Sequence, residues 1–179
     1  MESLGNYYHE HFNCDFRSIR FNCLISPREH NYNGSTDFAS EIFHKAEKGQ
    51  EYKICLKEDR DLSYAYIDDL IEGTFQILET PREKLTKSVY NINTLHFTPS
   101  QYIEKMKEIY PDIMVLYKPD LRDVIAQDWP FDFNDSAARN DWGWNPKYTT
   151  INSIISQMKI EMERNIKMKQ KMLKINNLI

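Results

Sequence analysis

The sequence predicts an α/β layered fold. Three observations carry the prediction. Segments with helical spacing of apolar residues alternate with short apolar runs that read as strands. The chain has 179 residues, enough for one domain with a sizeable core. Its hydrophobic content of 41% and charged content of 28% are those of an ordinary globular domain.

Taken in order, residues Glu2 to about Phe12 form the first expected helix, with Leu4, Tyr7, Tyr8 and Phe12 as its apolar set. No capping residue precedes it, so it reads as the tail of a longer helix that begins upstream. Asp15–Asn22 reads as a strand, and Cys23-Leu24-Ile25 extends its apolar run up to Ser26-Pro27. After a polar loop, Ser35 or Thr36 caps a helix over about Asp37–Glu47, which Gly49 stops. Tyr52–Leu56 is a short strand and Lys57–Asp61 a charged turn. Tyr66–Leu78 is amphipathic, with Ile67, Leu70, Ile71, Thr74, Phe75 and Leu78 at helical spacing and Pro81 beyond its end. Asp68 and Asp69 read as exposed charges favoured by the dipole of its first turn. Val89–Ile92 is a strand, Thr98-Pro99 opens a helix by the cap-then-proline rule, and Ile113–Leu116 is a further strand. Asn152–Leu173 is a long helix whose stretch from residue 163 on reads as a frayed tail, running into disorder at the terminus.

Charge and composition exclude several classes. The formal net charge of −4 provides no basic field for nucleic acid. No segment approaches the run of about twenty apolar residues that a membrane span needs. No secretory apolar region follows Met1, so no targeting segment is read in this chain. Cys14, Cys23 and Cys55 are odd in number and lack metal-type spacing, and they read as free thiols in a reducing compartment. His9 and His11 lie on different sides of a helix, so no metal site is expected.

The stretch Asp128–Trp144 holds all three tryptophans in a mostly polar segment. Asn134 or Asp135 caps a short helix through Ser136, Ala137 and Ala138, and Gly143 ends it in the left-handed conformation. Trp142 and Trp144 then fold back onto the core. Pro130 biases Trp129 toward extended backbone, which leaves Trp129 on a loop beside an anchored helix. There it either caps the core or walls a small-molecule pocket.

The run Tyr117-Lys-Pro-Asp-Leu-Arg-Asp-Val-Ile-Ala-Gln-Asp-Trp-Pro130, followed by Ala138-Arg-Asn-Asp-Trp-Gly-Trp144, resembles the C-terminal region of the short-chain-dehydrogenase type of L-threonine 3-dehydrogenase. That group belongs to the extended short-chain dehydrogenases, the NAD-dependent epimerase/dehydratase family. The resemblance extends from Glu2 to about Met162 and implies a fold. The chain would be the C-terminal, substrate-binding part of a Rossmann-like extended short-chain dehydrogenase, one partial domain over residues 1–179. The N-terminal dinucleotide-binding half would lie upstream. The residues agree with this. The five glycines stand singly, so the clustered turn that grips a dinucleotide pyrophosphate is not present. None of the eleven tyrosines begins a Tyr-x-x-x-Lys. Glu2–Tyr8 matches the family segment that follows the catalytic lysine, so no catalytic residue is expected in this chain.

The resemblance also implies roles for individual residues. Ile19–Ser26 answers the family's Leu-Arg-Tyr-Pro-Gly-Ile-Ile-Ser, with Asn22-Cys23 in place of Pro-Gly, and makes Leu24 a cofactor contact. Asn33–Phe43 answers a glycine- and threonine-rich segment, so Gly34, Ser35 and Thr36 would hydrogen-bond the amino acid substrate. For Ser35 and Thr36 this role is compatible with helix capping. Trp129 matches the tryptophan that closes over the substrate. The implied cofactor is NAD and the implied substrate L-threonine, oxidised to 2-amino-3-ketobutyrate by a full-length homodimer in mitochondria or cytoplasm. Two alternatives stand beside this: a non-catalytic binding or dimerising module, and a fragment of a nucleotide-sugar epimerase. Gly34-Ser35-Thr36-Asp37 and Lys118-Pro119-Asp120 disfavour the second.

Overall fold

A computed structural model describes residues 1–28, 34 and 36–176, with residues 169–176 as backbone only. It shows an α/β arrangement that groups into two compact units, each assembled from three chain segments. The first contains Met1–Leu24, Asp61–Phe97 and Trp129–Thr149. The second contains Ile25–Arg60, Thr98–Asp128 and Thr150–Ile179.

In the first unit, helix α1 (Glu2–Phe12) leads to strand β1 (Ser18–Arg20) and then to β2 (Cys23–Ile25), at whose end the chain passes into the second unit. Strand β4 (Leu62–Tyr66) runs into helix α3 (Ile67–Glu79), followed by β5 (Val89–Asn91) and β6 (Leu95–Phe97). β1 and β5 pair in parallel, Ser18 with Val89 and Arg20 with Asn91. A second sheet has the order β2-β4-β6, with β4 and β6 antiparallel. Helix α6 (Ser136–Trp142) completes the unit. Its core joins Leu70 and Ile77 of α3, Tyr90 of β5, Ile92, Ala138, Trp142 and Trp144.

Two connections hold this unit across long chain distances. Arg17 donates to the carbonyls of Ile77, Leu78 (3.1 Å) and Thr80 (2.7 Å), placing a cation on the unsatisfied C-terminal carbonyls of α3. Gly73 lets Trp144 lie against α3. A Cβ there would stand 2.6 Å from Cζ3 of Trp144. That ring is buried and held by its Nε1–H donating to the Asn93 carbonyl at 3.0 Å. Gly73→Ala is therefore expected to destabilise the protein by about 1–3 kcal/mol through overpacking, seen as a lower urea midpoint. α1 has no buried residue, and its Leu4, Tyr7, Tyr8 and Phe12 are exposed.

In the second unit, helix α2 (Phe38–Glu47) packs against strand β3 (Tyr52–Ile54), and β3 pairs in parallel with β7 (Val115–Tyr117). Helix α4 (Pro99–Lys107) packs on α7 (Ile151–Asn176), and the short α5 (Leu121–Ala126) follows β7. Phe38 and Phe43 meet Tyr102 edge-on, and Tyr102 donates to the Ala39 carbonyl at 2.8 Å. Ile154, Ile155, Met158 and Met162 form the buried face of α7, and beyond Met162 its described side chains turn to solvent. The backbone stays helical to Asn176, and residues 177–179 lie outside the described residues.

Several expected boundaries shift. Thr98 caps α4 with a complete capping box: its hydroxyl accepts from the Gln101 amide while Gln101 Oε1 accepts from the Thr98 amide. The expected Thr36 cap of α2 is not found. The N-cap is Asp37, whose carboxylate turns back to accept from the Gly34 amide at 2.8 Å instead of capping. Ser35, the other expected cap, lies outside the described residues. In α6 Asp135 holds the N-cap position, as expected, but its side chain does not cap. Asn134 Oδ1 accepts from the Ser136 amide, and the Asp135 carboxylate instead accepts from Arg139 one turn on. Gly143 does end α6 in the left-handed region at φ 77°, and Trp142 and Trp144 are buried as expected. Asp69 is a correction. It is 5% exposed, because its carboxylate accepts from the Lys147 and Tyr148 amides at 2.8 and 3.0 Å.

Candidate functional site

The expected site residues divide between the two units. Leu24 and Trp129 belong to the first, Gly34 and Thr36 to the second. Leu24 sits at the centre of β2 and is 41% exposed. Trp129 opens the third segment of its unit and is 42% exposed. Such exposure leaves a large apolar surface on each side chain available to a ligand. In the second unit, Gly34 is exposed with its amide donated to Asp37, and Thr36 is half-buried with its carbonyl accepting from Ala39. Ser35 lies outside the described residues.

A chain of polar contacts runs from buried Asn22 and Ser63 to the loop that follows Trp129. Ser63 of β4 is buried, as is Asn22 just before β2. Asn22 Nδ2 donates to Ser63 Oγ. The Ser63 hydroxyl in turn faces Asn93 Oδ1 at 3.3 Å and the Leu95 carbonyl at 3.4 Å. Asn93 Nδ2 donates to Asp132 Oδ1 at 2.6 Å. Three residues after Trp129, Asp132 thus ties its loop to the β5–β6 connection. Phe131 lies against the His96 ring with centroids 5.4 Å apart, and His96 pairs with Asp61 at 2.9 Å. The sequence gives no sign of these partners, because they come from four separate stretches of chain.

Electrostatics bear on the chemistry. A catalytic tyrosinate needs its pKa lowered. Tyr52, Tyr90, Tyr102, Tyr110 and Tyr117 are all pushed the other way, chiefly by burial. Carboxylates add to this at Tyr52 through Glu41, at Tyr90 through Asp141 and at Tyr110 through Glu47. Among the described residues no group of three His, Cys, Asp or Glu could hold a metal ion, and no helix is long and apolar enough to cross a membrane. One cavity of about 510 Å³ lies in the first unit between Thr80, Lys84, Arg139 and Trp142, and one of about 400 Å³ in the second between Glu47, Tyr110 and Met114. Neither is lined by Leu24, Gly34, Thr36 or Trp129.

Residues 1–93, from α1 through β5 to Asn93, match the family model described as NAD dependent epimerase/dehydratase family. The chain belongs to that family. Within it, the chain is 39% identical over 144 residues to the mitochondrial L-threonine 3-dehydrogenase of Bos taurus, covering 80% of this chain and 39% of that protein. It is 34% identical over 164 residues to an uncharacterized epimerase/dehydratase of Staphylococcus aureus, covering 90% and 50% respectively. The chain thus spans half or less of the length of these curated relatives. Among solved structures, the GalE-like L-threonine dehydrogenase of Cupriavidus necator superimposes with a TM-score of 0.86 at 38% identity, over 90% of this chain and 58% of that one. A UDP-glucose 4-epimerase of Thermotoga maritima matches with a TM-score of 0.74 at 22% identity, a likeness of fold alone. The epimerase/dehydratase fold is a Rossmann-like α/β fold, and the parallel pairings β1–β5 and β3–β7 agree with it.

Proposed function

We propose that residues 1–179 form the C-terminal, substrate-side part of an L-threonine 3-dehydrogenase that oxidises L-threonine to 2-amino-3-ketobutyrate with NAD. The observation that carries this reading is the match to L-threonine dehydrogenases at a TM-score of 0.86 and 38% identity over 90% of the chain. Another L-threonine dehydrogenase, from Phytophthora infestans, agrees at the same TM-score and 34% identity. In this reading Gly34, Ser35 and Thr36 hydrogen-bond the amino acid, Trp129 covers it, and Leu24 lies against the cofactor.

The residues present fit one end of NAD. The exposed side chain of Leu24 suits a nicotinamide face, whereas this chain has no glycine-rich turn for the pyrophosphate. NAD supplies the oxidant when bound, and the general base and the pyrophosphate grip come from the other half of the enzyme. The working enzyme is proposed to be a homodimer. The Bos taurus and Sus scrofa relatives are mitochondrial, which favours mitochondria over cytoplasm as its place.

A second reading is that of a non-catalytic module: none of the eleven tyrosines begins a Tyr-x-x-x-Lys and the five glycines form no clustered turn. Absorbance of NADH with L-threonine separates the two, measured on the chain with and without a separately expressed dinucleotide-binding half of a relative. Turnover only on mixing, lost in Trp129→Ala, is the expected result. No turnover in either sample overturns the dehydrogenase reading in favour of the module.

A further inference from the structure

We propose that Asn93 is the positioning residue of the Trp129 loop, acting through Asp132. This deepens the reading above and rests on it for the role of Trp129 in covering substrate. The argument begins with what an aromatic lid requires. A side chain 42% exposed is only partly fixed by packing, so what holds its backbone nearby bears on where the ring sits. The stretch Phe131–Asn134 lacks regular secondary structure and gains no ladder hydrogen bonds. It has instead the 2.6 Å bond from Asn93 Nδ2 to Asp132 Oδ1, an oxygen that also accepts from the Phe133 amide at 3.0 Å. A charge-assisted bond of this length is among the stronger kinds available to a loop.

The anchor itself is held on two sides. Asn93 Oδ1 accepts from Ser63, which is buried and bonded to buried Asn22. The Asn93 carbonyl accepts from Trp144 Nε1. The side-chain orientation of Asn93 is therefore set by β4 and its backbone by the core, and only its Nδ2 reaches the loop. The same chain of bonds starts at Asn22, whose side-chain amide donates to Ser63. It joins the approach to Leu24 and the loop after Trp129 to one buried serine.

The test uses the full chain labelled with 5-fluorotryptophan, whose three ¹⁹F resonances are assigned with Trp129→Phe. Asn93→Asp sets two carboxylates against each other while keeping both the acceptor for Ser63 and the main-chain carbonyl for Trp144. The expected result is a Trp129 resonance that shifts and narrows toward that of the free amino acid, with the Trp142 and Trp144 resonances unchanged. The double variant Asn93→Asp with Asp132→Asn restores donor and acceptor in reversed order, and it is expected to return the Trp129 resonance to its original place. An unchanged Trp129 resonance in folded Asn93→Asp, or no restoration in the double variant, overturns the proposal. If Asn93→Asp does not fold, Asp132→Ala decides the question in its place: loss of Trp129 order supports the proposal and an unchanged resonance overturns it. In the reconstituted enzyme Asp132→Ala is expected to raise KM for L-threonine about tenfold with kcat nearly unchanged, the scale of one charge-assisted hydrogen bond. Absence of activity refutes the dehydrogenase reading alone, since the ¹⁹F result stands without turnover.

Discussion

Asp123→Ala is expected to destabilise the second unit by about 3–5 kcal/mol, the usual loss when one partner of a buried ion pair is removed. The Asp123 carboxylate is buried and accepts from Arg60 through Nε and a terminal nitrogen, both at 3.0 Å. It also accepts from the Lys57 amide at 3.0 Å. The Arg60 side chain is itself only 16% exposed. Alanine leaves that guanidinium and the amide without an acceptor in a place water scarcely reaches. The pair also sets a pH dependence. Hydrogen bonding to Arg60 holds the Asp123 carboxyl below its ordinary range. The unfolded state then binds the proton more readily, so the contribution is complete above the unfolded carboxylate pKa of about 3.9 and fades as pH falls through the lower folded value. Urea midpoints measured from pH 6 downward are expected to fall more steeply in the parent than in Asp123→Asn.

Asp69→Ala is expected to cost about 2–4 kcal/mol in the first unit, since it strips the acceptor from two backbone amides at once. Those amides, Lys147 and Tyr148, start the segment that leads from Trp144 toward α7. Tyr148 is buried and meets Tyr66 at the head of α3 with ring centroids 4.7 Å apart. Loss of the carboxylate thus loosens an aromatic contact as well as two hydrogen bonds. Asp69→Asn, which keeps one acceptor oxygen, is expected to fall between parent and alanine variant. Thermal melts of the two variants check the order.

Asp69 also shows where sequence reasoning stops. A carboxylate in the first turn of a helix is favoured by the dipole whether it faces water or protein. Only the later segment that bends back to it, 78 residues on, decides the matter. The helices that were legible, α1, α2, α3, α4, α6 and α7, announce themselves through apolar spacing or end signals such as Thr98-Pro99 and Gly143. The strands β4 and β6 do not. All five residues of β4 are buried, so the alternation that marks a half-exposed strand is missing, and Ser63 interrupts its apolar character. α5 spans six residues, less than two turns, too short for its period to register.

At the site, Pro130 marked Trp129 as a loop residue, while its 42% exposure was left open between capping the core and walling a pocket. The bond from Gly34 to Asp37 did not, because Asp37 reads as the first residue of a helix rather than as a partner for the turn before it. The polar chain through Ser63 escaped for a plainer reason: its members stand 41 and 30 residues apart in sequence.

The interleaving of the two units has a consequence for synthesis. β1 leaves the ribosome well before β5, with 71 residues between Arg20 and its partner Asn91. At about 5–20 residues per second, that is a wait of roughly 4–14 s. Meanwhile the edge of β1 that pairs with β5 has no native neighbour, and the acceptors of Arg17 on α3 are still to be made. The first unit also needs its third segment, up to Thr149, and the second needs α7 after that. Neither unit is complete in sequence before most of the other has been made. A nascent chain in this order carries an unpaired β1 edge until β5 is made, and codon-level pauses placed between Arg20 and Val89 would lengthen that interval.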